Sequence, residues 1–126
     1  MVGSKPVKMV LIVDDNRQFC ENLKDLLELQ GYAATTVYSG LGAVEFVKKT
    51  PPDVVLLDVV MPDMDGVATF RRIKQIMPSL PVVLLTGFSD EQRAGEAVQE
   101  GVFCLIQKPP DYDKLFDVIQ QCSQDA

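Results

Sequence analysis

Four short apolar runs in this chain each end at a residue able to do chemistry. Residues 9–13 lead into Asp14 and Asp15, and residues 54–57 into Asp58. Residues 82–85 are followed by Thr86 and Gly87, and residues 103–106 by Gln107, Lys108 and Pro109. If these runs are parallel strands, their carboxyl ends share one edge, where the functional crevice of an open α/β sheet lies. Three carboxylates gathered there repel one another and would be pushed toward protonation. A hard divalent cation with oxygen ligands removes that conflict, and Mg²⁺ is the common intracellular choice. With Lys108 added, the charges balance. A dianionic phosphoryl group could then bridge metal, lysine and the Thr86 hydroxyl.

Each residue also has a plainer reading. Asp14 and Asp15 stand before a helical stretch and could serve only as cap or turn residues. A threonine at a strand end is commonly structural, and a single lysine is commonly a solvated charge. Asp58 fits the plain reading worst, because Val59, Val60, Met61 and Pro62 follow it and need no cap. The joint placement, each group at the proper end of its own run, favours a site. Histidine is absent, which excludes a Ser-His triad, a His-based zinc site and a phosphohistidine in this chain. Cys20, Cys104 and Cys122 are odd in number and sit among apolar neighbours. They read as buried free thiols in a reducing, cytoplasmic setting.

The elements that must position these groups alternate along the chain. The four runs, with residues 33–37, give five strands, and most are continuously apolar, as strands covered on both faces are. Phe19, Leu23, Leu26, Leu27 and Gln30 form a helical stripe stopped by Gly31. Val67, Phe70, Ile73 and Met77 form another, closed by Pro78, and Leu115, Val118, Ile119 and Cys122 the last. Ser89 or Asp90 can cap a helix ending at Glu100 and Gly101, while the helix from Leu41 to Thr50 has the thinnest apolar face. Five β-then-α units predict an open α/β domain with a parallel sheet and helices on both faces. Gly40, Gly42 and their neighbours echo a dinucleotide fingerprint, but Glu45 replaces the third glycine and the preceding strand is weak.

The chain has 126 residues, 47% hydrophobic and 24% charged. That is enough for one core, and it excludes a disordered tail, a collagen-like repeat and a coiled coil. A net charge of −6 argues against a broad nucleic-acid-binding face. No apolar run approaches the roughly 20 residues of a bilayer crossing, and no signal peptide is apparent. We expect residues 1–7 to be an N-terminal extension in which Gly3-Ser4 resembles a cloning remnant. Residues 8–123 are expected to form the domain and residues 124–126 a short tail.

The segments Val13-Asp14-Asp15, Leu57-Asp58-Val59-Val60-Met61-Pro62-Asp63-Met64-Asp65-Gly66, Leu85-Thr86-Gly87 and Gln107-Lys108-Pro109 resemble the receiver domain of two-component response regulators. The resemblance covers about Lys8 to Gln121, and the Met-Pro-x-Met-Asp-Gly stretch is highly specific. It implies a flavodoxin-like fold with five parallel strands in the order 2-1-3-4-5 and five helices on both faces. It also implies that Asp58 is the phosphoacceptor. Mg²⁺ would be bound by Asp15, Asp58 and the backbone carbonyl of Val60, with Asp14 acting through water. Thr86 and Lys108 would contact the phosphoryl group, Gly87 would leave room for it, and a cis peptide before Pro109 would aim Lys108. The implied partners are a sensor histidine kinase or histidine phosphotransfer domain, and a downstream protein target or an output domain. No nucleic acid or membrane is expected to bind this domain itself.

One departure from the family pattern stands out. Leu105 occupies the place of the usual Tyr or Phe, which puts the coupling to the surface of the fourth helix, fifth strand and fifth helix in question. Phe103 and Phe88 are candidates to substitute, with Phe103 expected to be buried and Phe88 to act as a lid or partner contact. Asp63, Asp65 and Gly66 are expected to shape the turn into the third helix, and Arg71, Arg72 and Lys74 to form a solvated face. An aspartyl phosphatase would place an acid two positions after its nucleophile, and here that residue is Val60. A flavodoxin relative would need a hydroxyl- and glycine-rich phosphate loop after the first strand, and none follows. A binding-only degenerate receiver would not need the complete acidic set with Thr86 and Lys108.

Overall fold

The computed structural model describes residues 4–5, 7–87, 91–122 and 124–125. Phe88, Ser89 and Asp90, to which a lid and a helix cap were assigned above, lie outside the described residues. Five strands, β1 (Met9–Val13), β2 (Ala33–Val37), β3 (Val54–Asp58), β4 (Val82–Thr86) and β5 (Cys104–Gln107), alternate with five helices. The helices are α1 (Arg17–Leu29), α2 (Gly40–Lys49), α3 (Gly66–Ile76), α4 (Glu91–Gln99) and α5 (Tyr112–Gln121). All five strands run parallel in the order 2-1-3-4-5. The short segments Ser4–Lys5 and Gln124–Asp125 pair antiparallel, apart from the main sheet.

The apolar runs are continuous because the sheet is covered twice. Leu11, Val13, Val55, Leu57 and Leu84 pack against α2, α3 and α4 through Val44, Val47, Val67, Phe70, Ile73 and Ala97. Their neighbours Val10, Ile12, Val54, Leu56, Val83 and Leu85 pack against α1 and α5 through Leu23, Leu27, Leu115 and Ile119. Every residue of β3 and β4 is buried, whereas the edge strands β2 and β5 are partly open. Phe103 corrects an expectation. It lies just before edge strand β5 and is 44% exposed, so it is not a core residue. Leu105 is half-buried against the core on the α2–α4 side.

Helix ends follow local chemistry. Asn16, not Asp14 or Asp15, caps α1 through the Phe19 amide at 3.0 Å. Ser39, Asp65 and Asp111 cap α2, α3 and α5. Gly31 and Gly101 follow α1 and α4 at φ +96°, a conformation that side-chain-bearing residues rarely adopt.

Candidate functional site

β1 and β3 are hydrogen-bonded neighbours, with Val13 opposite Leu57, so the residues that follow them meet at one edge. Asp14, Asp15 and Asp58 each bring a carboxylate oxygen within 4.8 Å of the others. Asp14 and Asp58 are buried and Asp15 is exposed. An open cleft of about 570 Å³ lies over them, lined by Asn16, Val60, Met61, Pro62, Gly87 and Lys108 as well.

Asp14 is held from two sides. Its Oδ1 accepts the Asn16 amide at 2.9 Å, and its Oδ2 accepts the Lys108 ammonium at 2.7 Å. The Cys20 thiol donates to its carbonyl oxygen at 3.3 Å. Burial, then the charge of Asp14, pushes that thiol up to about 12, so Cys20 offers a structural contact and no thiolate. The same Lys108 ammonium stands 3.7 Å from Asp58 Oδ1 and 4.6 Å from the centre of the Phe19 ring. The Lys108–Pro109 peptide is cis, as the family resemblance implied.

These contacts set the charge states. Burial and the neighbouring Asp14 push Asp58 up to about 6, although Lys108 and a backbone bond from Val60 pull the other way. For Lys108, burial opposes the charge, but the bond to Asp14 and the field of Asp58 outweigh it and raise its pKa. One lysine therefore leaves part of the carboxylate repulsion standing. An all-oxygen donor set with uncompensated negative charge fits a hard divalent cation, so this acidic pocket is able to hold a metal ion.

Among the expected site residues, the structure gathers Asp14, Asp15, Asp58, Val60, Gly87 and Lys108 around one cleft. Thr86 stands apart: it is buried at the end of β4, its hydroxyl donates to the Gly87 carbonyl at 3.1 Å, and it does not line the cleft. Asp65 shapes the start of α3 as expected, and it also accepts Arg93 of α4 at 3.0 Å. Asp63 does more than turn the chain. Its carboxylate accepts the amides of Gly40 and Leu41 at the start of α2, at 3.1 and 3.0 Å. Arg71 and Lys74 are not simply solvated, because Arg71 forms a two-pronged pair with Glu100 and Lys74 donates to the Glu100 carbonyl. Asn16, Phe19 and Cys20 were missed as site residues; the cap position of Asn16 was the one local signal available.

The family model described as "Response regulator receiver domain" matches residues 10–120. The chain is 38% identical over 112 residues to the transcriptional regulatory protein ZraR of Salmonella typhimurium, covering 89% of this chain and 25% of that protein. It is 36% identical over 113 residues to the DNA-binding transcriptional regulator NtrC of Escherichia coli, covering 90% of this chain and 24% of the other. Among solved structures, a response regulator receiver domain protein from Clostridium thermocellum superposes with a TM-score of 0.88 at 31% identity, covering 92% and 94% of the two chains. The receiver domain of NtrX from Brucella abortus gives 0.84 at 28% identity, covering 90% and 96%. The protein belongs to the response regulator receiver family of two-component signalling. It spans about a quarter of the length of the curated relatives it matches. No helix among the described residues is long and apolar enough to cross a membrane.

Proposed function

We propose that this chain is a phosphorylation-dependent switch of a two-component or phosphorelay system, and that Asp58 accepts the phosphoryl group. The observation that carries this reading is a buried carboxylate at the end of β3, facing an open cleft, with an ammonium 3.7 Å away and two more carboxylates beside it. The chain holds no histidine, so the donor is a phosphohistidine of a sensor histidine kinase or a histidine phosphotransfer domain. An Asp58 carboxylate oxygen forms the new bond to phosphorus while the phosphorus–nitrogen bond of the donor breaks. The released imidazole takes a proton and leaves neutral.

The attacking group and the incoming group are both anionic, so positive charge must come from the site. Mg²⁺, held by Asp15, Asp58 and the Val60 carbonyl, with Asp14 acting through water, would supply part of that charge. Lys108 supplies the rest by exchanging its bond to Asp14 for one to a transferred oxygen. Thr86 turns its hydroxyl from the Gly87 carbonyl to another phosphoryl oxygen, drawing the end of β4 toward the cleft. That movement alters the partner-binding surface. Leu105, on a β5 that pairs with β4, stands in place of the aromatic side chain that usually follows it.

Residues 8–123 form the switching unit in this reading, flanked by residues 1–7 and 124–126. The signal passes to a separate protein target or to an output domain of a longer polypeptide, as the DNA-binding relative suggests. No acid stands two positions after Asp58, which argues for a phosphoacceptor and against turnover of outside substrates. The free Cys20, Cys104 and Cys122 support a cytoplasmic setting. Incubation with a small phosphodonor and Mg²⁺, followed by intact mass, should add one phosphoryl mass to the wild type and none to Asp58→Ala. Labelling that persists in the variant would overturn the assignment.

A further inference from the structure

We infer that Phe19 is a positioning residue for Lys108 and, through it, for phosphoryl transfer to Asp58, an inference that rests on the reading of Asp58 as phosphoacceptor. The Lys108 ammonium lies 4.6 Å from the centre of the Phe19 ring, 2.7 Å from Asp14 Oδ2 and 3.7 Å from Asp58 Oδ1. Its side chain is 26% exposed, so the ring replaces part of the water that would otherwise surround the charge. The ring is itself well fixed. Phe19 packs half-buried against the core on the α1–α5 side, and its own amide donates to the Asn16 cap at 3.0 Å. The next residue, Cys20, ties α1 to the Asp14 carbonyl.

An aromatic face attracts an ammonium through its quadrupole without carrying a net charge. It therefore holds Lys108 in place without adding a fourth anion to a site that already repels one. It also accepts no conventional hydrogen bond, so the three N–H donors stay free for carboxylate and phosphoryl oxygens. A flexible four-carbon stem needs such a guide if its ammonium is to pass from Asp14 to a transferred oxygen without straying into solvent. An aliphatic residue could fill the same volume and would lack this pull.

The test is a double-mutant cycle on the rate of phosphorylation by a small phosphodonor in Mg²⁺, using Phe19→Leu, Lys108→Ala and the double variant. Phe19→Leu should slow the reaction about fivefold in the wild-type background and leave Lys108→Ala unchanged. Phe19→Tyr, which keeps the ring face, should restore most of the rate. The ε-methylene resonances of Lys108 should lie upfield from ring current in the wild type and move to the position of exposed lysines in Phe19→Leu. Equal slowing in both backgrounds, a wild-type rate in Phe19→Leu, or an unmoved Lys108 resonance overturns the inference. A wild-type chain that takes no label overturns the phosphoacceptor reading instead, and the Lys108 resonance still reports whether the ring contact exists.

Discussion

At the scale of single residues, Asp58 carries the tension of the site. Its folded-state pKa of about 6 stands above the ordinary 3.8, with burial the largest cause and Asp14 the next. A raised carboxylate pKa means the native state prefers the protonated form, so ionised Asp58 weakens folding. That penalty is absent below pH about 4, grows between pH 4 and 6, and is complete above. Its upper bound is about 3 kcal/mol, taking 1.36 kcal/mol for each unit. In a chelating buffer at pH 7, Asp58→Asn should therefore be the more stable protein, and the gain should vanish near pH 4. Urea unfolding at the two pH values measures it; a variant no more stable at pH 7 than at pH 4 would refute the argument. Asp14, Asp15, Asp58 and Lys108 were legible because each follows a recognisable apolar run. The reach of Asp63 to the amides of Gly40 and Leu41 was not, since it joins a loop to the start of α2 across 23 and 22 residues and leaves no local pattern. Phe103 misled for the opposite reason: an apolar residue beside an edge strand looks the same in sequence as one in a core.

At the scale of elements, the end of β3 and the start of α3 define how closely the strand that carries Asp58 can be approached. A Cβ on Gly66 would collide with the Asp58 carbonyl and sit 2.7 Å from Val59 Cα, both of them backbone that cannot swing aside. The Gly66 amide also donates to the Val59 carbonyl at 2.7 Å. Gly66→Ala should push α3 away from β3, lower stability by about 1–3 kcal/mol and displace Asp58 relative to Asp15. Thermal unfolding, together with the amide chemical shifts of residues 58–66, reads both effects; a variant with wild-type stability and unchanged shifts would show that the contact is slack. The helix stripes were legible because α1, α3 and α5 each bury one side, and the glycines after α1 and α4 marked their ends. Helix α2 was faint because Leu41 is exposed and its apolar face is short. The pairing of α3 with α4 through Arg71, Arg93, Asp65 and Glu100 was hidden, since charge pairs between helices have no fixed sequence spacing.

At the scale of the whole molecule, a divalent cation held by the acidic pocket would couple its binding to folding. A parallel sheet covered on both faces was readable from five β-then-α units with continuous apolar runs, whereas the strand order came from the family resemblance alone. The pairing of Ser4–Lys5 with Gln124–Asp125 had no such signal in so few residues. Folding joins β1 to β3, and only then do Asp14 and Asp15 come within 4.8 Å of Asp58. The unfolded chain scatters those carboxylates and binds a divalent cation weakly, so Mg²⁺ should stabilise the folded form. At a concentration 100 times the dissociation constant, the gain is about 2.7 kcal/mol. For a domain of this size, that corresponds to a rise in Tm of about 10 °C. The chain's net charge of −6 means that any salt will relieve some general repulsion, so the control is NaCl at matched ionic strength. Circular dichroism melts should show the full rise with MgCl₂ and only a small part of it with NaCl. Asp15→Asn and Asp58→Asn should each lose most of the Mg²⁺-specific rise, the latter from a higher starting Tm. A rise equally large with NaCl, or preserved in Asp15→Asn, would mean that the cation acts on the charge of the whole surface and not at the ends of β1 and β3.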